Sequence, residues 1–207
     1  MKNPYSLDTT ENELISPVEE FCRNELMKLC LEALGNKTTF PQEVFHALAQ
    51  LGLTGLSIGE EFGGIAGGAR LQAAVYDLIS CQNLGPAIFT SVHGMVSGLI
   101  EKFGSAEQKS EVLPKLASGE MLGAFALSEA EAGSDANNLS ATLTETPDGS
   151  AFILNGEKAW ITSAGAASIY LVFARMKGTT GKDGVTALLI PADQQGLTIG
   201  APEKKMG

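Results

Sequence analysis

The sequence predicts an α+β protein: an all-helical N-terminal domain over 1–119, then a β-barrel-like domain over 120–207. The first observation is a change of period. Up to about residue 119, apolar residues recur at helical spacing between capping residues. Beyond it they fall in short or alternating runs separated by turn residues. The second observation is size: 207 residues, 44% of them hydrophobic, can bury a sizeable core. Helices first and strands second mean two domains or a segregated α+β arrangement.

The helices follow in order. "SPVEEFCRNELMKLCLEALG" opens with Ser16, Pro17 and Glu19, the pattern of a capping box with proline at the first helical position, and closes on Gly35. "TFPQEVFHALAQLG" repeats the grammar from Thr39 to Gly52. Residues of about 69–83 and 88–102 form two more helices, each followed by a glycine, Gly85 and Gly104. A further helix starts at Ser105 with Gln108 in the box position, and Pro114 should break or kink it. The strands are expected in "MLGAFALS", "LSATLTET", "AFILNGEKAWITS", "SIYLVFARM", "GVTALLIP" and "GLTIG". Turn signals at Pro147-Asp148-Gly149, Asn155-Gly156 and Gly178 to Gly184 separate them, and Asn155-Gly156, between two such runs, signals a hairpin.

A formal net charge of −10 without a Lys/Arg cluster argues against nucleic acid as a partner. An anionic ligand would have to be held locally, by backbone N–H groups and a few placed donors. No secretory signal or membrane span is visible, and Cys22, Cys30 and Cys81 read as reduced thiols, so a cytoplasmic location is expected. His46 and His93 are the only histidines, both in expected helices, and no Cys or His pair has metal-ligand spacing. No metal site is expected. "GEEFGGIAGG" holds no G-x-G-x-x-G register and reads as a tight loop between helices. "AGSD" is not a G-x-S-x-G nucleophile elbow.

The chemistry-bearing stretch is "LSEAEAGSD", residues 127–135, directly after an apolar run. A loop turning off a strand there frees backbone N–H groups to meet a ligand. On residue type alone, Ser128 and Ser134 are equally turn-formers and Trp160 equally a core residue. Glu129 and Glu131 look like an acid/base pair, but adjacent loop carboxylates are more commonly solvated or bonded to backbone.

"FALSEAEAGSD", followed by "NGEKAWIT", resembles the flavin-binding middle domain of the acyl-CoA dehydrogenase family. The resemblance extends to "ALAQLGLTGLSIGEEFGG", "FGSAEQKSEVLPKLASGE" and "GLTIGAPEKKMG", in the family's order. It implies FAD as cofactor and α,β-dehydrogenation of an acyl-CoA thioester, with the β hydrogen passing as hydride to flavin N5. An electron-transferring flavoprotein would be the acceptor, and the whole protein a tetramer or dimer. The implied cofactor-binding residues are Phe125, Leu127, Ser128, Gly133, Ser134, Trp160, Ile161 and Thr162. Ser128 would contact the pyrimidine end of the flavin, Trp160 would pack on the ring and Thr162 would place its hydroxyl at N5. Ser134 would meet a phosphate or the thioester ligand. The resemblance also implies a C-terminal helical domain beyond Gly207 that supplies the catalytic base, so no catalytic residue is expected here, and 1–207 alone should be inactive. An oxygen-using acyl-CoA oxidase-like relative and a non-catalytic flavin- or acyl-CoA-binding fragment are the alternative readings.

The sequence departs from the family pattern in places. Ala130-Glu131 stands where a proline usually follows the glutamate, which implies a less rigid loop. Asn138 replaces a small residue, and Gly59 and Phe62 replace the usual Pro and Tyr.

Overall fold

Helix α1 (Thr9–Phe21) begins where a carboxylate closes its first turn. Asp8 accepts from the Glu11 N–H, and the Glu11 side chain accepts from the Asp8 N–H. This capping box lies upstream of the expected one at Ser16, and Pro17 is inside the helix rather than at its first position. "DTTE" satisfies orphan N–H groups as well as "SPVE" could, and starting there adds two further turns of helix. A π-helical turn (Cys22–Leu26) leads into α2 (Met27–Gly35). The computed structural model describes residues 4–36 and 40–203, so the expected helix start at Thr39 and the terminal "KKMG" lie outside the described residues. It divides into two compact units, Met1–Leu122 and Gly123–Gly207.

In the first unit, α3 (Gln42–Gln50), α4 (Ala69–Gln82), α5 (Leu84–Phe103) and α6 (Ala106–Ala117) complete the helical set. Asn83, not Gly85, separates α4 from α5: its side chain accepts from the Gly85 N–H and caps α5. Ser105 and Gln108 form the expected capping box. Pro114 does not end α6, which runs on to Ala117. A proline near a helix end forfeits one backbone bond, and buried Val112, Leu113, Leu116 and Ala117 hold this turn in place.

The core of this unit is built on Leu26, Phe45, Leu48, Ile58, Ile79, Val96 and Leu113. His93 is a core residue too: its Nε2 lies 3.1 Å from the Leu116 carbonyl oxygen and its ring packs on Phe45. Burial pushes its pKa down to about 4, against the opposing pull of backbone hydrogen bonds at Leu116 and Thr54. The glycine-rich stretch is a tight loop, with Ala66 N–H donating to Ile58 O at 2.7 Å. A Cβ at Gly64 would stand 2.1 Å from that same carbonyl oxygen.

The second unit is a mixed five-stranded sheet. The central strand β4 (Ile169–Met176) pairs parallel with β1 (Gly123–Ala126) and antiparallel with β5 (Val185–Pro191). Its C-terminal end pairs parallel with β2 (Thr142–Glu145), which is antiparallel to β3 (Phe152–Asn155). The hairpin turn lies at Pro147-Asp148-Gly149, not at Asn155-Gly156. Thr146 Oγ1, Ser150 N and Ser150 Oγ all donate to the Asp148 carboxylate there. Gly156 instead lets the chain leave the sheet against β2: a Cβ there would sit 2.6 Å from Ala141 Cα. "KAWITS" is therefore loop rather than strand, and no strand forms at "GLTIG" among the described residues.

The two candidate starts of α1 separate by mutation. Asp8→Ala should cost about 1 kcal/mol of stability, while Ser16→Ala should cost under about 0.5 kcal/mol. Urea unfolding followed by far-UV circular dichroism measures both.

Candidate functional site

The site is built where β1 ends. Leu127, Ser128 and Glu129 leave the strand, and Glu129 and Ala132 exchange backbone hydrogen bonds of 3.1 and 3.2 Å that close a tight turn. The turn projects Gly133 and Ser134 into solvent. Nothing within 4 Å would meet a Cβ at Gly133, so the space beside it is open within this chain.

Glu129 points inward, with its side chain only 4% exposed. It accepts from Ser140 N and Ser140 Oγ, both at 2.6 Å, from Ala141 N at 3.1 Å, and from Lys158 Nζ at 2.6 Å. Burial alone would raise its pKa. The Lys158 ammonium, the Ser140 hydroxyl and the two N–H groups outweigh burial and bring it down to about 2. Glu131, by contrast, is exposed.

Lys158 carries the link to the second segment. Its Nζ also donates to Leu127 O at 3.0 Å, and the next residue, Ala159, donates its N–H to Ser128 O at 2.9 Å. The residues after this seam are the expected aromatic and hydroxyl group. Trp160 is 70% exposed and has φ 56°, and Ser163 has φ 64°. A positive φ is rare for a bulky residue and costs about 1–2 kcal/mol. Strained backbone of this kind concentrates at functional sites. The exposed indole is not a core residue.

The structure brings some expected residues together and gives others a packing role. Ser128 lies one backbone hydrogen bond from the segment that carries Trp160, Ile161 and Thr162. Phe125 packs on Phe173, with ring centroids 5.1 Å apart. Ile161 packs against the cluster of Ala124, Ala126, Ala167, Tyr170 and Val172. Thr162 is half-buried, and Ser134 is exposed on the turn.

Three residues were not singled out from sequence. Lys158 stands 29 residues from Glu129, and no local pattern pairs them. Arg175 ties down the same region from β4, donating to Leu139 O at 3.2 Å, to Gly181 O at 2.7 Å and to Asn137 O. Ser163 Oγ is the one buried side-chain N or O without a hydrogen-bond partner among the described residues. A buried polar atom in that state is unusual in a folded protein. No group of His, Cys, Asp and Glu placed to hold a metal occurs among the described residues, and no described helix is long and apolar enough to cross a membrane.

Comparison with known proteins gives concordant matches. The family model described as acyl-CoA dehydrogenase, N-terminal domain, matches residues 8–120, and that of the middle domain matches 124–207. A mitochondrial isobutyryl-CoA dehydrogenase of Dictyostelium discoideum is 36% identical over 184 residues, 88% of this chain and 44% of the relative. A solved acyl-CoA dehydrogenase complexed with FAD from Bacillus anthracis superposes with TM-score 0.86 at 33% identity, covering 99% of this chain and 35% of that one. An electron transferring flavoprotein structure from Acidaminococcus fermentans gives TM-score 0.88 at 28% identity, covering 97% and 52%. The chain spans about half the length of the curated relatives it matches.

The Glu129 geometry fixes a pH dependence. A carboxyl held at about 2 rather than 4.5 contributes stability that is present above about pH 4.5 and lost as pH falls toward about 2. The contribution is about 3 kcal/mol at neutral pH. Stability curves of the wild type and Glu129→Gln should therefore converge by about this amount on acidification through that window, as measured by urea unfolding at successive pH values. Parallel curves would mean that Glu129 titrates normally.

Proposed function

The chain belongs to the acyl-CoA dehydrogenase family, and from that premise we propose that the protein of which it forms part binds FAD and dehydrogenates an acyl-CoA thioester between its α and β carbons. One observation carries the reading: the only tryptophan of the sequence presents its indole to solvent on a strained loop stitched to the Ser128 turn. An apolar ring held open in this way offers a stacking face for a planar aromatic ligand.

The residues present fit such a group. Ser128 and Thr162 would supply hydroxyl donors to the polar atoms of the ring, and backbone from Phe125 to Ser128 and from Trp160 to Thr162 would line it. The orphan hydroxyl of Ser163 adds a polar contact beside them. Gly133 leaves room for close approach, and Ser134 on the exposed turn would meet a phosphate or the thioester ligand. When bound, FAD supplies the hydride acceptor that no protein side chain provides. Donors placed where negative charge develops stabilise the transition state more than the ground state.

Glu129 is not the base that takes the α proton. It is buried, carries four hydrogen bonds and is held ionised by Lys158. On the family resemblance, the base would come from a part of the protein beyond this chain, and 1–207 by itself would bind FAD weakly without turning over acyl-CoA. An electron-transferring flavoprotein is the proposed electron acceptor. A homo-oligomer is proposed on the family resemblance; Leu31, Leu34, Leu84 and Phe103 are exposed apolar residues of the helical unit. The three free thiols fit a reducing compartment such as the cytoplasm.

Emission from Trp160 should be strongly quenched in FAD-loaded protein and should recover when FAD is stripped. Measured on residues 1–207, which hold no second tryptophan, unchanged emission would remove the basis of the reading. In the whole protein, Ser128→Ala and Thr162→Val should slow flavin reduction about 10- to 100-fold, with little change in apparent substrate affinity. Rapid-mixing absorbance distinguishes this from a pure affinity effect, which would contradict the proposed roles.

A further inference from the structure

We propose that Glu129 and Lys158 are a positioning pair, whose ion pair sets the register between the Ser128 turn and the Trp160 segment and so keeps the indole open for its ligand. The identity of that ligand rests on the flavin reading above; the positioning rests on geometry alone.

The seam is formed by residues adjacent in sequence on both sides. Leu127 and Ser128 offer carbonyls and Glu129 its carboxylate, and Lys158 and Ala159 supply all the donors. Immediately past the seam the backbone enters the left-handed region at Trp160 and again at Ser163. The far end of the segment is also fixed. Ala166 and Ala167 donate to Ser163 O at 2.9 and 2.8 Å, and the Tyr170 hydroxyl donates to Ala164 O. Trp160 to Thr162 are thus held between two anchors. Released at the Lys158 end, the chain can relax to an extended conformation and lay the apolar indole against protein.

A purely stabilising contact would not require charge here. Removing one partner of a buried ion pair leaves an uncompensated charge, but replacing both with uncharged groups is often neutral or stabilising. What the charges add is a defined geometry: a short contact aimed at one carboxylate oxygen while the other is taken by Ser140. Changing both residues therefore separates positioning from stability.

The test is the double variant Glu129→Gln with Lys158→Met in the full chain. It has two readouts: amide hydrogen exchange without cofactor, and FAD affinity by titration. We expect β4 amides to keep their wild-type protection, the amides of 158–163 to exchange faster, and FAD affinity to fall about 10- to 100-fold, the size of effect seen when a partner that orients a metal ligand is lost. Unchanged exchange at 158–163 would overturn the proposal. So would an equal loss of protection throughout β4 or failure to fold, because the pair would then be a folding element. If the wild type binds no FAD while exchange changes as expected, the flavin reading fails and the positioning stands. If wild type and variant bind FAD equally well, the positioning fails and the flavin reading stands.

Discussion

Burying a carboxylate is tolerated only if every lone pair finds a donor, and around Glu129 that requirement organises the whole site. A buried charge left unpaired would be prohibitively costly, so the chain must bring donors to it from two places. Ser140 and Ala141 come from the approach to β2 and Lys158 from the segment after β3, while Glu129 itself stands past the end of β1. Each loop is fixed because the carboxylate is fixed. Arg175 plays the complementary part with carbonyls. Its guanidinium satisfies Asn137, Leu139 and Gly181, and so holds the other flank of the loop that carries Ser140.

In a chain of net charge −10, the pairing of Glu129 with Lys158 takes one carboxylate charge out of the site. Glu131, Asp135 and Glu157 stand in solvent around it, beside the outward-facing indole of Trp160, the exposed Ser134 and the open space at Gly133. The mixed sheet makes this possible. β1 and β2 pair with different parts of the same edge of β4, so the connection between them leaves that edge and returns to it further along. That connection is the serine turn, and the loop after β3 meets it there.

Much of the fold was legible because it rests on local chemistry. The Ser105–Gln108 capping box, the change of period near the domain junction and the strand at "SIYLVFARM" are all set by residues within a few positions of one another. The errors have physical causes. Two capping boxes compete at the N-terminus, and the upstream one wins because Asp8 and Glu11 satisfy it without wasting two turns of good helix. Asn155-Gly156 carries a hairpin signal, but Gly156 is required by the close approach of Ala141, a contact with no sequence signature. The exposed indole and the serine turn were visible as residues. The ion pair that joins them was not, because partners 29 positions apart leave no periodic trace.

In the proposed site, one buried ion pair delivers the serine turn and the tryptophan loop to the same ligand. A crystal structure of the FAD-loaded protein is the decisive measurement. It should place the isoalloxazine ring against the Trp160 indole, Ser128 and Thr162 within hydrogen-bonding distance of ring atoms, and Lys158 still bonded to Glu129. A flavin bound away from Trp160, or a bound state in which Glu129 and Lys158 have parted, would contradict the proposed site.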